Sequence, residues 1–249
     1  MIIIKNNNEI EKMRKAGKVV GDTLNLLEEK VKPGMSTLEL DQIAEKYIRS
    51  QGAVPSFKGY QGFPASLCTS INEQVVHGIP SSDAVLKEGD IISVDCGAIL
   101  DGYQGDAART FPVGNVSEEA SKLMDVTKQS FFKGVEQALV GNRLSDISSA
   151  VQIHAESNGY SVVREFVGHG IGKDMHEDPE VPNYGRPGRG PKLMHGMVLA
   201  IEPMINIGSY KVRVLENGWT VVTSDGKLSG HYENTVAILD NGPEILTLV

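Results

Sequence analysis

The chain has 249 residues, with 24 Lys plus Arg against 32 Asp plus Glu and a formal net charge of −8 at pH 7. Its 40% hydrophobic and 22% charged content is that of a globular protein with a sizeable core. The acidic balance disfavours a broad nucleic-acid-binding surface, and two cysteines exclude a disulfide scaffold or a Cys-only zinc site. Because the apolar run Ile2–Ile4 is too short for a signal peptide or a membrane span, we expect a cytoplasmic protein without an anchor.

Helices and strands alternate along the chain. Apolar residues at helical spacing, together with capping and stop signals, predict four helices near residues 8–33, 36–52, 117–141 and 146–159. Short β-rich runs predict strands at 91–94, 198–201, 219–223 and 235–239. No low-complexity linker divides the chain, so we expect one domain over residues 1–249 with an α/β (α+β) fold.

The order of these elements repeats. A glycine-bracketed helix at 34–52 recurs at 141–159, and the strand of 89–95 recurs at 196–202, each displaced by 107 residues. Two similar halves, about 1–115 and 116–249, would pack around a pseudo-two-fold axis with a site between them. A chance match between two common patterns is the alternative.

Carboxylates occupy corresponding places in the two halves. Asp95 and Glu202 each end an apolar strand, where a salt bridge or a strand end in water is the simpler explanation. An Asp101-Gly102 turn would bring Asp106 back beside Asp95, and a longer hairpin would return Glu233 towards Glu202. Four converging carboxylates would repel one another, and two divalent cations would offset that charge.

Six histidines could add nitrogen ligands to such a site. His169 lies in the glycine-rich run 168–172, whose glycines let the backbone approach another group closely. His77 and His176 lie in their own short motifs, 76–80 and 176–179. His154 falls in a predicted helix, and for His195 and His231, which flank predicted strands, a capping or pairing role suffices.

Seven motifs in order give the chain a specific resemblance. They are SINEQVVHGIP (70–80), VDCG (94–97), GD (105–106), GHGIG (168–172), HEDP (176–179), AIEP (200–203) and YENT (232–235). The sequence resembles the type I methionine aminopeptidases over essentially its whole length. That family has the pita-bread fold, with two pseudo-symmetric halves around a dinuclear metal site.

The resemblance implies a role for each matching residue. Asp106 and Glu233 would bridge two metal ions, His169 and Glu202 would complete the shell of one ion, and Asp95 would hold the other. A donor set of oxygens and one imidazole favours Co(II), Mn(II) or Fe(II).

The expected reaction is removal of N-terminal methionine, with a small second residue preferred, by a metal-bridged hydroxide. Catalysis would use His77, His176 and Glu202, the last as a proton shuttle. The methionine pocket would be lined by Tyr60, Phe63, Cys68, His77, His176, Met175 and Trp219. Met175 and Phe57 depart from the residues common in the family at their positions, which bears on the pocket's shape. A monovalent cation would lie near Asn72, Gln74 and Ser229.

Two other functions remain open at this point. A proline-specific aminopeptidase or dipeptidase shares the five ligands but usually carries an additional N-terminal domain, for which this chain has no room. A non-catalytic pita-bread binding protein would have lost ligands, whereas all five positions are intact. The expected partners are peptides and nascent chains with N-terminal methionine, near the ribosome. We expect a monomer with no nucleic-acid site.

Overall fold

A nine-stranded sheet lies at the centre of the computed structural model, which describes all 249 residues. The helices are α1 (Asn7–Lys30), α2 (Thr37–Ser50), α3 (Glu118–Val135) and α4 (Leu144–Ser157), with one 3₁₀ turn at Tyr60–Gly62. The strands are β1 (Val54–Pro55), β2 (Leu67–Ile71), β3 (Gln74–Val76), β4 (Ile91–Leu100), β5 (Tyr103–Pro112), β6 (Ser161–Val162), β7 (Gly168–Gly170), β8 (Glu177–Val181), β9 (Val198–Ile201), β10 (Met204–Asn206), β11 (Val212–Val214), β12 (Val221–Thr223), β13 (Ser229–His231), β14 (Glu233–Leu239) and β15 (Gly242–Ile245). This is the mixed α/β arrangement that the sequence predicts.

The helices follow the predicted pattern except at one end. Capping boxes start α1 at Asn6 and α2 at Ser36, because the cap side chain and a glutamate three residues later satisfy each other's backbone N–H groups. The third helix ends at Val135 instead of continuing towards Gly141. Tight turns follow Val135, and the chain is then tied to Leu193, which donates its N–H to the Asn142 carbonyl at 2.8 Å. No helix is both long and apolar enough to cross a bilayer.

The two halves of the chain meet in the middle of the sheet. The strand order is β1-β4-β5-β14-β9-β7-β8, with β2 also paired to β4 and β15 to β14. The β4–β5 hairpin of the first half therefore lies against β14 and β9 of the second. Its turn residues Asp101 and Gly102 both have positive φ, as a two-residue type I′ turn requires. The two halves of the chain are therefore joined where β5 pairs with β14, which we call the β5–β14 junction.

The helices cover one face of this sheet and leave the other free for a site. Val94 and Cys96 of β4 pack into a core with α1 and α2, and Leu199 and Val236 pack into a second core with α3 and α4. Because side chains alternate along a strand, the residues next to these positions point to the opposite face. Asp95 is one of them.

Close packing of α1 on β5 holds the strand that carries Asp106. A side chain on Gly105 would come within 2.8 Å of the Gly17 backbone nitrogen, so a glycine at position 105 is needed for this approach. On the neighbouring strand, the Thr235 hydroxyl accepts the Asp106 N–H at 3.0 Å and donates to the Asp106 carbonyl at 2.9 Å. The backbone of Asp106 is therefore fixed from both sides.

Candidate metal centre

The pairing register brings three of the predicted metal ligands onto one face of the sheet. Asp95 of β4 pairs with Ala108 of β5, which pairs in turn with Glu233 of β14. Directly paired residues share a face, as do residues two apart on one strand, so Asp106 joins this row. The first half and the second half therefore each supply carboxylates to the same patch of sheet.

The other two predicted ligands reach the same face from β7 and β9. His169 pairs with Ala200, and Ala200 pairs with Thr235, two residues beyond Glu233. Glu202 lies two residues after Ala200, just past the end of β9. The side-chain atoms are correspondingly close: His169 Nε2 is 3.5 Å from Glu202 Oε1 and 3.8 Å from Asp106 Oδ2.

Two overlapping groups of donor atoms result. One comprises Asp106, His169 and Glu233, and the other comprises Glu202, His231 and Glu233, with the ligand atoms of each group within 4.8 Å of one another. Glu233 belongs to both groups. The sequence predicts only a capping or pairing role for His231. Its position two residues before Glu233 indicates a place at the site, because side chains two apart in an extended chain point to the same side.

Burial makes four carboxylates at this site unfavourable as free anions. Loss of solvent raises the pKa of Asp95, and the pKa values of Asp106, Glu202 and Glu233 lie well above their ordinary range because desolvation is reinforced by the neighbouring carboxylates. Desolvation has the opposite effect on the imidazoles: the pKa of His169 falls to about 4 and that of His231 to about 3. Neutral imidazole is the form that binds a metal.

The donor atoms fit divalent cations. Asp95 Oδ1, Asp106 Oδ1, Glu233 Oε1 and His231 Nε2 are buried and have no hydrogen-bond partner. Buried polar atoms without partners are costly and rare, and charged ones are costlier still. A cation would satisfy them, and carboxylate oxygens with imidazole nitrogen are ordinary ligands for Mn(II), Fe(II) or Co(II).

The floor of a cavity of about 330 Å³ is formed by Asp95, Asp106, His169, Glu202 and Glu233. The predicted pocket residues Tyr60, Phe63, Cys68, His77, His176 and Trp219 line it, as do Phe57 and Gln61. Met175 does not line the cavity but is buried behind the wall, in a cluster with Phe57 and Phe63. The ring of Phe63 meets that of Trp219 edge-on, with centroids 5.1 Å apart. The walls are therefore largely aromatic.

Two histidines that are not in the donor groups face the cavity. Tyr60 Oη lies 2.8 Å from His176 Nδ1, and the His176 ring lies 4.3 Å from that of His169. His77 has a positive φ of 59° and stacks edge-on against Trp219 and Phe166. A non-glycine residue in this region is strained, and such residues concentrate at functional sites. Burial lowers the pKa of His77 to about 4, so its ring is neutral near pH 7.

A buried ion pair supports the loop that carries His176. Lys5 Nζ lies 2.5 Å from Glu177 Oε2, and both side chains are almost fully buried. The other oxygen of Glu177 accepts the Lys173 N–H at 3.1 Å, and Lys5 donates its own backbone N–H to the Gly196 carbonyl at 2.7 Å. The segment before α1 is thereby tied to the residue next to His176.

The chain is similar to known metallopeptidases over its full length. Residues 11–240 match metallopeptidase family M24. It is 72% identical over 248 residues to a methionine aminopeptidase of Clostridium acetobutylicum, covering 100% of this chain and 99% of that protein. The crystal structure of the methionine aminopeptidase from Thermotoga maritima superimposes with a TM-score of 0.99 at 45% identity, covering 100% of both chains. This match confirms the fold implied by the sequence motifs.

Proline-specific enzymes are more distant. The prolidase from Pyrococcus furiosus is 25% identical with a TM-score of 0.79, and the match covers 99% of this chain but 66% of that one. The similarity to methionine aminopeptidases is thus greater in sequence, in structure and in coverage.

Metal binding to the metal-free protein is expected to release protons. Burial raises the pKa of Asp95 to about 7, so this carboxyl group keeps part of its proton near neutral pH, whereas His169, with its pKa lowered to about 4, has none to release. Deprotonation grows as the pH rises, so Mn(II) affinity should increase between about pH 6 and pH 8. Calorimetry in buffers of different ionisation enthalpy measures both quantities. Asp240→Asn, at a carboxylate 78% exposed, should leave the proton count unchanged. A flat affinity without proton release would contradict this expectation.

The Lys5–Glu177 pair should contribute far more to stability than a surface pair. Lys5→Met leaves a buried carboxylate without its cation, which should lower the free energy of unfolding by about 3–5 kcal/mol. Adding Glu177→Gln removes the charge and should restore most of the loss. Arg49→Met, which breaks an exposed pair with Glu45, is the control and should cost less than about 1 kcal/mol. Equal losses in urea unfolding for Lys5→Met and Arg49→Met would refute the assignment.

Proposed function

We propose that this chain, which belongs to metallopeptidase family M24 and is a methionine aminopeptidase, removes N-terminal methionine from peptides and nascent chains at a centre of two divalent cations. One observation carries the proposal. Four carboxylates and an imidazole, contributed by both halves of the chain, converge on one face of the sheet at the floor of an aromatic cavity.

The charge of the site supports two ions. Asp95, Asp106, Glu202 and Glu233 carry four negative charges when ionised, which two divalent cations would balance. The residues that would hold the ions are Asp106 and Glu233 as shared ligands, His169 and Glu202 for one ion, and Asp95 for the other. The hard donor set favours Mn(II), Fe(II) or Co(II).

When bound, such ions supply a deprotonated water as nucleophile near neutral pH and polarise the scissile carbonyl. The other steps fall to side chains of this protein. Glu202 lies just past the end of β9 with its side chain 13% exposed, against 2% for Glu233, so it is the more accessible carboxylate of the two. We assign to Glu202 the transfer of the water proton to the departing amine.

His77 and His176 are proposed to hold the reacting peptide. If Tyr60 donates its hydroxyl proton to His176 Nδ1, the neutral ring carries its proton on Nε2. His176 Nε2 can then donate a hydrogen bond to the substrate. Because its pKa is lowered to about 4, His77 also has one donor and one acceptor nitrogen near pH 7. A donor that stabilises the developing oxyanion lowers the barrier.

We assign the aromatic cavity to binding of the substrate's methionine side chain. Phe63, Trp219 and Tyr60 offer ring faces and edges, and Cys68 adds a buried thiol whose pKa is raised by desolvation, so that it stays neutral. A flexible, polarisable thioether packs well against such surfaces. At about 330 Å³ the cavity is at the small end of ligand sites, a size that suits a single amino-acid side chain.

We further propose that the protein trims initiator methionine in the cytoplasm near the ribosome. In this proposal it acts as a monomer and makes no nucleic-acid contacts. A monovalent cation near Asn72, Gln74 and Ser229 stays a prediction. These three residues lie together, with the Ser229 N–H donated to the Asn72 carbonyl at 2.9 Å.

Substrate preference distinguishes this proposal from a proline-specific peptidase and from a non-catalytic binding protein. We expect cleavage of Met-Ala and Met-Gly peptides over Leu-Ala and X-Pro peptides, because the pocket is built for a thioether. Chelation should abolish the activity, and Mn(II), Fe(II) or Co(II) should restore it. A release assay over this panel provides the measurement. A preference for X-Pro, or full turnover by the metal-free protein, would rule the proposal out.

Replacing His77 should separate catalysis from metal binding. His77→Ala removes a donor aimed into the cavity but no member of the donor groups. We expect unchanged metal content with kcat lowered by about 10²-fold or more. His77→Asn, which tolerates a positive φ, checks that strain is not the cause. The control His195→Ala, at a side chain 42% exposed, should keep wild-type turnover. Near-wild-type kcat in His77→Ala would remove His77 from the mechanism.

A further inference from the structure

His231 is a buried imidazole without a partner. The residue is 1% exposed, and its Nε2 makes no hydrogen bond. The same atom lies 3.8 Å from Glu202 Oε2 and 3.8 Å from Glu233 Oε2. A buried N–H left unpaired costs about 1–3 kcal/mol, so an orphan atom between two carboxylates calls for a functional explanation.

The backbone fixes the direction in which His231 points. The His231 N–H donates to the Thr110 hydroxyl at 2.9 Å, and that hydroxyl donates to the His231 carbonyl at 2.9 Å. Thr110 in turn lies 2.8 Å from the Ser93 hydroxyl. The same reciprocal threonine contact holds Asp106 through Thr235. His231 is therefore held as firmly as a proposed metal ligand.

The two oxygens of Glu202 face different imidazoles. Oε1 lies 3.5 Å from His169 Nε2, within the proposed metal shell, and Oε2 faces His231. Glu202 follows the last residue of β9, so no strand pairing of its own fixes it. Glu233 lies inside the sheet, where Ala108 pairs with it. Glu202, unlike Glu233, therefore needs a contact other than strand pairing to fix its orientation.

We propose that His231 is a positioning residue of the metal centre and that its Nε2–H donates a hydrogen bond to Glu202 Oε2. This inference rests on the proposed role of Glu202 as a metal ligand. The hydrogen bond requires an approach of about 0.8 Å from the present separation, well within the reach of one side-chain rotation. It holds Glu202 with Oε1 towards His169, the orientation that ligation requires. Hydrogen bonds to metal-ligating carboxylates typically contribute 10- to 100-fold to metal affinity.

Two substitutions at position 231 test this role. His231→Leu removes the donor, whereas His231→Gln keeps an N–H donor on a neutral side chain. We expect Mn(II) binding to be about 10- to 100-fold weaker in His231→Leu and within a few-fold of wild type in His231→Gln. Mn(II) titration of the metal-free proteins, with free ion counted by electron paramagnetic resonance, gives the affinities. His195→Gln, at an exposed histidine, is the matched control.

Thermal unfolding separates positioning from a purely structural role. Without metal, His231→Leu replaces an unpartnered polar group by an apolar one and should unfold no earlier than wild type. If that variant fails to fold, His231→Phe replaces it in the titration. Wild-type affinity in the leucine or phenylalanine variant would overturn the inference. Equal weakening in the glutamine variant would also overturn it, because the imidazole would then be irreplaceable. Absence of Mn(II) binding by the wild type would instead count against the proposed function itself.

Discussion

Burial of four carboxylates on one face of a sheet is the constraint on which the rest of the structure depends. Each carboxylate is deprived of solvent, and three of them have pKa values raised further by their neighbours. Such a cluster is stable at neutral pH only when protons or cations offset its charge. One oxygen each of Asp95, Asp106 and Glu233 has no hydrogen-bond partner, and only histidines lie within ion-pair distance of Asp106, Glu202 and Glu233. Divalent cations meet the requirement.

The proposed metal ligands and the two cavity histidines come from different kinds of segment. Asp95, Asp106 and Glu233 come from adjacent strands whose register is set by a type I′ turn and by the β5–β14 junction, whereas Glu202 lies just past the end of β9. Sites built on strands hold ligands more precisely than sites on loops. His77 and His176 lie outside the strands and are braced individually, His77 by aromatic rings and His176 by Tyr60 and the buried Lys5–Glu177 pair. The proposed metal centre is therefore rigid, while the substrate side depends on local contacts.

The sequence predicts local patterns well and long-range contacts poorly. The capping boxes, the Asp101-Gly102 turn and the strand before Glu202 are correct because each depends on neighbouring residues. The predicted strand at 91–94 extends to Leu100, since pairing with β1, β2 and β5 overrides the weak β-propensity of Asp95 and Gly97. The predicted strand at 219–223 begins only at Val221, because Asn217 caps a turn through Trp219.

The same distinction applies to the candidate site. Strand ends and hairpins predict that the carboxylates converge, and the family motifs add His169 to the residues expected at the cavity floor. Met175 falls behind the wall, and its side-chain direction depends on packing against Phe57 that spacing alone does not reveal. The Lys5–Glu177 pair joins residues 172 apart, and no local pattern indicates it. A role for His231 at the site becomes evident only from the structure, which places its ring beside Glu202.

Anomalous diffraction from a crystal loaded with manganese would show directly whether the buried carboxylates form a two-ion centre. We expect two manganese peaks, both within bonding distance of Asp106 and Glu233, with His169 and Glu202 on one and Asp95 on the other. Strong peaks elsewhere on the protein, with none among these side chains, would contradict it.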